Sequence, residues 1–334
     1  MGSKQQVAAA PLAISSLMGR VMWLACAVCP APALAADVPL IGYLSFLSPG
    51  NPFTCGKLLK SALAERGVLE GRDYRMQVAY ANGTEPGLQE AARQLAAAKP
   101  ALMVSGGVNP MLALARAAPN TPLVTVGSGS LLDLGLVRSH ARPGGLLTGI
   151  SNGGEEHVFK LIELLLQAFP GIEQVGIVAN QHHPGHVLRQ QLVHDRVKPR
   201  RVQARYVWVD GDKGVEAAYQ RLAQQGIRHA VYLPDWLPNA RVHAAVASKL
   251  GIATIGFAGS FADAGGLMHF TIVGGEGCSR AAHHVQQLLA GRRPGDVPVE
   301  EVQDYRLTVN LQAARRLGVT FAPAFLLRAD RVIE

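Results

Sequence analysis

The chain has 334 residues, of which 49% are hydrophobic and 17% are charged, and its formal net charge is +8 at pH 7. This composition indicates a globular protein with a large apolar core, and the length suits two domains of ordinary size. The lysines and arginines are scattered apart from RVKPRR at residues 196–201, with no basic helix and no interleaved aromatic residues. The sequence therefore predicts no nucleic-acid partner.

The first 35 residues have the pattern of a secretory signal peptide. They contain two basic residues and no acidic one, followed by the apolar run VMWLACAVCPAPALA. The run is too short to span a bilayer, so we expect cleavage near Ala35/Ala36 and export to the periplasm. A lipoprotein signal at Cys26 fits less well, because a bulky Trp stands where such a signal normally has Leu.

After this segment, short apolar runs alternate with runs of helical periodicity. We predict strands at 39–45, 74–80, 101–105, 122–127, 174–179, 204–209, 229–233, 253–257 and 305–310. We predict helices at 54–66, 86–97, 110–117, 154–167, 186–195, 213–225, 239–249, 276–290 and 311–317. Near-continuous apolar strands that alternate with helices are typical of parallel sheets covered by helices on both faces, which predicts an α/β fold.

The alternation forms two similar blocks, from about residue 37 to 149 and from about 150 to 270. The segment between them, ARPGGLLTGIS at 141–151, is rich in Gly and Pro and lacks a helical period. We interpret it as a crossover between two domains. The remaining residues are long enough to return to each domain in turn.

Polar and aromatic residues follow the predicted strands. Because ligands of doubly wound sheets bind beyond the carboxyl ends of the strands, these loops form the candidate site. They are FLSPGNPF (46–53), GGVNP (106–110), SGS (128–130), NQHHPGH (180–186), PDWLPN (234–239) and AGSF (258–261). N–H groups at helix starts, with Ser or Asn beside them, suit a carboxylate, and Phe53, Trp236 and Phe257 offer flat apolar walls.

The glycine turn at Gly106-Gly107 lies between a strand and a helix, where nucleotide sites often occur. It lacks the GxGxxG fingerprint, and the chain contains no GxxxxGK[ST]. We interpret the turn as a tight connection with free N–H groups. Asp235 leaves two interpretations open, a contact for a ligand ammonium and a helix cap.

Metal binding and catalysis have weak support in the sequence. His182, His183 and His186 have metal-like spacing, but a Pro-Gly pair interrupts them and no carboxylate is close in sequence, so we favour a polar cleft loop. Cys55 and Ser128 lack the signatures that surround catalytic nucleophiles. We therefore predict no enzymatic activity, no cofactor and no metal.

Two cysteines, Cys55 and Cys278, lie beyond the signal segment. They are too few for a disulfide framework and too far apart for a CxxC site. An oxidising compartment permits one bridge, but the sequence leaves open whether the two pair.

Several long stretches carry a resemblance to a known family, and they occur in the family's order over nearly all of the mature chain. They are IGYLSFLSPGNP, ALAERGVLEGRDY, ALMVSGGVNPMLALARAAPNTPLVTVGSGSLLDLGLVRSHARPGGLLTGIS, VYLPDWL, FADAGGLMHF and LLAGRRPGDVPVEEVQDYRLTVNLQAARRLGVTFAPAFLLRADRVIE. On these residues the chain resembles the ABC transporter substrate-binding proteins with the type I periplasmic binding fold, in the branch that includes aromatic amino acid-binding members.

The resemblance implies two Rossmann-like lobes of parallel sheet flanked by helices, joined by a three-strand hinge near 148–152, 268–273 and 300–308. It implies a first lobe of 36–149 plus 272–300 and a second of 150–271 plus 301–334. Ten residues are then expected to line the cleft between the lobes: Ser48, Asn51, Ser105, Gly107, Asn109, Ser128, Asn180, Asp235, Trp236 and Phe257.

We expect a monomeric solute-binding component of an ABC importer, which hands an amino acid or related carboxylate to a permease in the inner membrane. Two alternatives stay open: an exported receptor for a membrane sensor, and an enzyme that uses Cys55 or Ser128. The loops NQHHPGH, FLSPGNPFTCG and GGEGC depart from the family's usual pattern, which leaves the identity of the ligand open.

Overall fold

A computed structural model describes residues 38–51, 54–152, 154–182, 184–210, 214–233, 240–257, 260–272, 276–302 and 304–334. The predicted signal peptide, Phe53, His183, Asp235 and Trp236 lie outside these residues. The strands are β1 (Leu40–Ser45), β2 (Arg75–Tyr80), β3 (Leu102–Gly106), β4 (Leu123–Ser128), β5 (Leu147–Ser151), β6 (Gln174–Asn180), β7 (Gln203–Val209), β8 (His229–Leu233), β9 (Ala253–Gly256), β10 (Met268–Ile272), β11 (Glu300–Glu301), β12 (Tyr305–Asn310) and β13 (Arg331–Ile333). The helices are α1 (Gly56–Glu65), α2 (Glu85–Ala97), α3 (Val108–Ala117), α4 (Gly154–Ala168), α5 (Pro184–Val197), α6 (Val215–Gln224), α7 (Ala240–Lys249), α8 (Glu276–Leu289), α9 (Leu311–Leu317) and α10 (Pro323–Leu326).

The strands form two sheets. The first has the order β2-β1-β3-β4-β5-β11, and all of its neighbouring strands are parallel. The second has the order β7-β6-β8-β9-β10-β12-β13, in which the β10–β12 pair is antiparallel and the other pairs are parallel. The predicted α/β fold with two lobes is confirmed, with one antiparallel pair that the sequence analysis did not anticipate.

Helices cover both faces of each sheet, which explains why the strands are apolar on both sides. In the first lobe, α1 and α8 pack on one face of the sheet and α2 and α3 on the other. In the second lobe, α4 and α5 cover one face, and α6 and α7 cover the other. Among the described residues, no helix combines the length and the apolar character needed to cross a bilayer.

The chain crosses between the two sheets three times. It leaves the first sheet at the end of β5 and enters α4, returns from β10 to α8, and passes again from β11 to β12. Helix α8 packs against α1, β4 and β5, so it belongs to the first lobe, while β12 and β13 complete the second sheet. Each crossing falls within or next to a segment expected to form the hinge. The limits of the two lobes stay a prediction, and the expected boundary at 149/150 falls inside β5.

The segment interpreted as a crossover, 141–151, contains a strand in its last five residues. Gly149 lies in the middle of β5 with φ of 129°, and a Cβ added there would be 2.2 Å from the Thr125 carbonyl oxygen of β4. Only glycine allows the two strands to approach so closely. The residue that weakens the strand signal in the sequence is therefore required by the sheet.

A disulfide joins Cys55, at the start of α1, to Cys278 in the first turn of α8, with 5.4 Å between their Cα atoms. The pairing that the sequence left open is thereby settled. Cys55 has no free thiol, so the alternative of an enzyme with Cys55 as nucleophile is wrong.

Candidate ligand-binding site

The expected site residues that the structure describes lie at or just beyond the carboxyl ends of the parallel strands. In the first sheet, β1, β3 and β4 are neighbours, so the loops that follow them share one edge. In the second sheet, β6, β8 and β9 are neighbours, and their carboxyl ends share an edge in the same way. Ligands of open α/β sheets bind at such edges.

The two carboxyl edges lie near the junction of the lobes. Strands β5 and β10 both leave their sheets at the carboxyl end, and the chain then reaches an element of the other lobe within a few residues. A few residues span at most about 3.5 Å each, so these two edges must lie near the junction of the lobes. The fold therefore brings the carboxyl ends of the strands of both sheets to one junction.

The loop after β1 carries Ser48 and Asn51. Ser48 is exposed, and its carbonyl accepts a hydrogen bond from the Asn51 N–H at 3.2 Å. The Asn51 carbonyl in turn accepts from both the N–H and the hydroxyl of Thr54, at 3.1 and 2.9 Å. The loop is thus a short hydrogen-bonded turn that ends at Cys55 and the disulfide.

Gly107 is the residue before α3 and has a φ of 89°, a conformation that favours glycine. Its N–H donates to the Val126 carbonyl at 3.1 Å, which fixes the turn to β4. No side chain among the described residues caps α3, so the N–H groups of Val108 and Asn109 are left without a capping partner. A helix start of this kind carries partial positive charge and attracts a carboxylate.

Two serines lie on the adjoining strands. Ser105, at the end of β3, is fully buried, and within the described part of the chain its hydroxyl has no hydrogen-bond partner. Such a group costs free energy unless something else satisfies it. Ser128 is the last residue of β4 and pairs with Ser151 of β5, next to the same edge.

In the second lobe, Asn180 ends β6 and is 7% exposed. Its Oδ1 accepts a hydrogen bond from the His182 N–H at 2.9 Å, so the side chain shapes the turn that follows the strand. The His182 Nε2 lies 3.0 Å from Asp210 Oδ1 at the end of β7, and both side chains are exposed. The structure thus places a carboxylate beside His182, although none is near it in sequence.

No group of three or more potential metal ligands is assembled in the described segments. His186 is buried on α5, and His183 lies outside the described residues. The interpretation of this stretch as a polar loop stays a prediction.

Phe257 follows β9 and lies edge-on to His157 of α4, with 4.2 Å between the ring centroids. His157 also contacts Phe270 of β10 at 5.5 Å and Tyr305 of β12 at 4.8 Å. Burial lowers the pKa of His157 to about 3, so this imidazole is neutral at neutral pH and acts as a flat, weakly polar ring. Burial also raises the pKa of Tyr305 to about 12, and this phenol stays a hydrogen-bond donor.

Sequence reasoning did not identify His157, Phe270 or Tyr305 as site residues. His157 is the fourth residue of α4, whose first residues, GEEHVF, are ordinary for an amphipathic helix, and the other two lie within predicted strand or hinge segments. The available signal was that Phe270 and Tyr305 fall in two of the three expected hinge segments.

The family whose members are described as ABC transporter substrate binding protein matches residues 53–333. The chain belongs to this family. Among the relatives of this substrate-binding protein is a tyrosine-binding protein of Clostridioides difficile, 20% identical over 77% of this chain and 74% of the relative.

Two solved structures have the same fold as this substrate-binding protein. A conserved domain protein of Vibrio cholerae superposes with a TM-score of 0.80 and 21% identity, covering 88% of this chain and 99% of the other. The ABC domain of Streptococcus pneumoniae in complex with L-Trp superposes with a TM-score of 0.79 and 19% identity, covering 89% and 100%.

Proposed function

We propose that this substrate-binding protein is the exported component of an ABC importer, which binds an amino acid or a related small carboxylate between its lobes. The observation that carries the proposal is that the carboxyl ends of the strands of both sheets come to one junction, next to three short crossings. A cleft that two lobes share can close on a ligand, and the ligand's contacts with both lobes then favour the closed state.

The first lobe offers the groups that suit a carboxylate. The start of α3, which no described side chain caps, presents N–H donors, and the Ser105 hydroxyl, without a partner among the described residues, lies two residues before Gly107. The hydroxyl or amide groups of Ser48, Asn51, Asn109 and Ser128 follow neighbouring strands of the same edge. We propose that these residues bind the acidic end of the ligand.

The second lobe offers an apolar wall. Phe257 is half-buried and rests on His157, so it presents a supported ring at the carboxyl end of β9. We propose that Phe257 and Trp236 contact the apolar part of the ligand, while Asn180 and Asp235 contact its polar groups. The solved structure in complex with L-Trp and the tyrosine-binding relative support a class of ligands that includes aromatic amino acids.

We further propose a periplasmic location and delivery to a permease in the inner membrane. The Cys55–Cys278 disulfide supports an oxidising compartment, because such bridges are rare in reducing ones. The first 35 residues, with their signal-like pattern, support export. Binding and release are sufficient for this role, which requires no catalytic step.

A thermal-shift titration tests the proposal directly. Residues 38–334 would be melted with L-tryptophan, L-tyrosine, aliphatic amino acids and dicarboxylic acids. A ligand at 100 times its Kd stabilises the folded state by about 2.7 kcal/mol. For a chain of about 300 residues this raises Tm by about 4 °C. Failure of every amino acid and small acid to shift Tm would contradict the proposal.

A pair of matched variants localises the site. Phe257→Ala should weaken binding of the stabilising ligand at least ten-fold, because a stacked ring is lost. Phe321→Ala removes another half-buried ring of the second lobe, one that packs against Phe169 and Phe325, and should leave the Kd unchanged. An equal loss of ligand affinity in both variants would argue that Phe257→Ala acts through a general change of the structure and not through a lost ligand contact.

A further inference from the structure

Residues close to the three crossings between the lobes form a group of packed rings. Phe270 belongs to β10, which precedes the second crossing, and Tyr305 is the first residue of β12, after the third. Their rings stack with centroids 5.1 Å apart. His157, in the first turns of α4 after the first crossing, contacts both rings. We call His157, Phe270 and Tyr305 the hinge cluster.

The hinge cluster is hydrogen-bonded to the first lobe through one residue. The Tyr305 hydroxyl donates to the backbone carbonyl of Asn152 at 3.1 Å. The side-chain Nδ2 of Asn152, which directly follows β5, donates to the carbonyl of Gly127 in β4 at 2.8 Å. Two hydrogen bonds therefore connect β12 of the second sheet to β4 of the first.

The structure of β4 is adapted to this contact. Its pairing with β5 shifts register between Val126 and Ser128, which places Gly127 in a bulge with a φ of 68°. A Cβ added at Gly127 would lie 2.9 Å from the Asn152 Nδ2. The Asn152 amide is thus held closely against a backbone position that requires glycine.

The same cluster supports the wall of the cleft. Phe257 lies edge-on against His157 at 4.2 Å, and His157 contacts Tyr305 at 4.8 Å. On the other side, Gly127 directly precedes Ser128 on the opposing lobe. Residues on the two sides of the cleft are therefore joined by continuous contacts through the hinge.

We propose that the Tyr305 hydroxyl and the Asn152 amide form a hinge latch that sets the angle between the lobes and positions Phe257 against the first lobe. Both are positioning residues. The latch acts in the protein without ligand, and only its effect on ligand binding rests on the proposed function.

Distance measurement between the lobes tests the latch. Spin labels on Ala97→Cys of α2 and Ala217→Cys of α6, both exposed, would report the interlobe distance by double electron–electron resonance in ligand-free protein. Tyr305→Phe keeps the stacked ring and removes one hydrogen bond, so we expect about a five-fold change in the ratio of the populations with short and long interlobe distances. Asn152→Ala, which removes the second hydrogen bond, should shift the ratio in the same direction.

Tyr206→Phe is the matched control, because it removes a hydroxyl from the edge strand β7 of the same sheet. Its distance distribution should equal that of the unmodified protein. The latch is refuted if Tyr305→Phe and Asn152→Ala both give the unmodified distribution, or if Tyr206→Phe shifts it equally. Should Tyr305→Phe fail to fold, Asn152→Ala alone decides.

A second arm adds L-tryptophan to each sample. Narrowing of the distribution in the unmodified protein, with a several-fold weaker Kd in Tyr305→Phe and an unchanged apo Tm, would tie the latch to binding. Absence of any response in the unmodified protein would count against the proposed ligand class, whereas the ligand-free comparison would still decide the latch.

Discussion

The Cys55–Cys278 disulfide is the covalent link between α1 and α8, and its removal tests how the first lobe is held together. Both cysteines are buried among the side chains that pack α1 and α8 on the first sheet. A double Cys55→Ala, Cys278→Ala variant removes the link without burying a new polar group. We expect this variant to fold but to be less stable by about 5 kcal/mol.

The magnitude follows from the loop that the bridge closes. The two cysteines are 223 residues apart, and the chain-entropy relation gives about 18 cal/mol/K, or about 5 kcal/mol at 25 °C. The second lobe lies inside this loop. If the second lobe stayed folded while the first lobe unfolded, the flexible part of the loop would be roughly 100 residues, for which the relation gives about 4.7 kcal/mol. The two estimates agree because the entropy cost of closing a loop depends on the logarithm of its length.

Urea unfolding followed by circular dichroism measures the difference. For about 300 residues, a loss of 5 kcal/mol corresponds to a Tm lower by about 8 °C. The unfolded variant is less compact than the unfolded cross-linked chain, so the slope of the unfolding free energy against urea concentration should also increase. Wild-type protein reduced until two thiols are titrated is the control, because it keeps both sulfur atoms.

A loss below about 1 kcal/mol in both the variant and the reduced protein would refute the entropic reasoning. A large loss in the variant together with an unchanged reduced protein would assign the effect to the lost packing of two sulfur atoms.

Three further changes test other parts of the fold. Gly149→Ala should cost more than about 2 kcal/mol in urea unfolding, because its Cβ would lie 2.2 Å from the Thr125 carbonyl oxygen. The pKa of His157 is about 3 in the folded protein and about 6.5 when unfolded, so the unfolded state binds more protons between these values. Stability should therefore rise with pH up to about 6.5, and His157→Phe should remove about 1.4 kcal/mol per pH unit from that slope. Asn310→Ala should cost about 2–3 kcal/mol, because the buried amide caps α9 and donates to a buried carbonyl, whereas Thr84→Ala, which removes an exposed cap of α2 that also donates to the Ala81 carbonyl, should cost about 1 kcal/mol.

Each of these predictions would be contradicted by a specific measured result. A Gly149→Ala protein with wild-type stability would mean that β5 can move away from β4. A free-energy difference between His157→Phe and wild type that is constant from pH 4 to 7 would show that the imidazole does not titrate differently on unfolding. Equal costs at Asn310 and Thr84 would mean that the burial of the Asn310 amide adds nothing to the cost of its removal.

The strands and helices with long apolar runs were predictable because burial on both faces leaves a strong local signal. The run YRLTVN, for instance, predicts β12 with its observed limits, 305–310. The missed strands depend on partners rather than on their own residues. Strand β11 has two residues, and β13 has three, of which Arg331 and Val332 are exposed. Pairing with β5 and β12 defines these strands, and a single segment carries no information about its partner.

The candidate site likewise contains residues that the sequence could predict and residues that it could not. The rule that ligands bind at the carboxyl ends of parallel strands needs only the strand limits, so it could place Ser105, Gly107 and Asn180 at the edges of the sheets. His157 and Tyr305 are 148 residues apart in the sequence. Their contact arises because three crossings return to one junction, and that depends on the order of strands in both sheets.

The pairing of the two cysteines can be predicted once the topology is known. The cysteines alone carry no signal of pairing, but each stands at the start of a helix, α1 or α8. If α8 returns to the first lobe, as the resemblance implies, the two helices can cover the same face of one sheet, and their starts then lie at the same edge. Pairing therefore follows from the assignment of one helix to a lobe, and not from the spacing of the cysteines. The bridge also places the start of α8, directly after the second crossing, beside the loop that carries Ser48 and Asn51. The covalent link thus joins the start of α8 to the end of a proposed ligand loop.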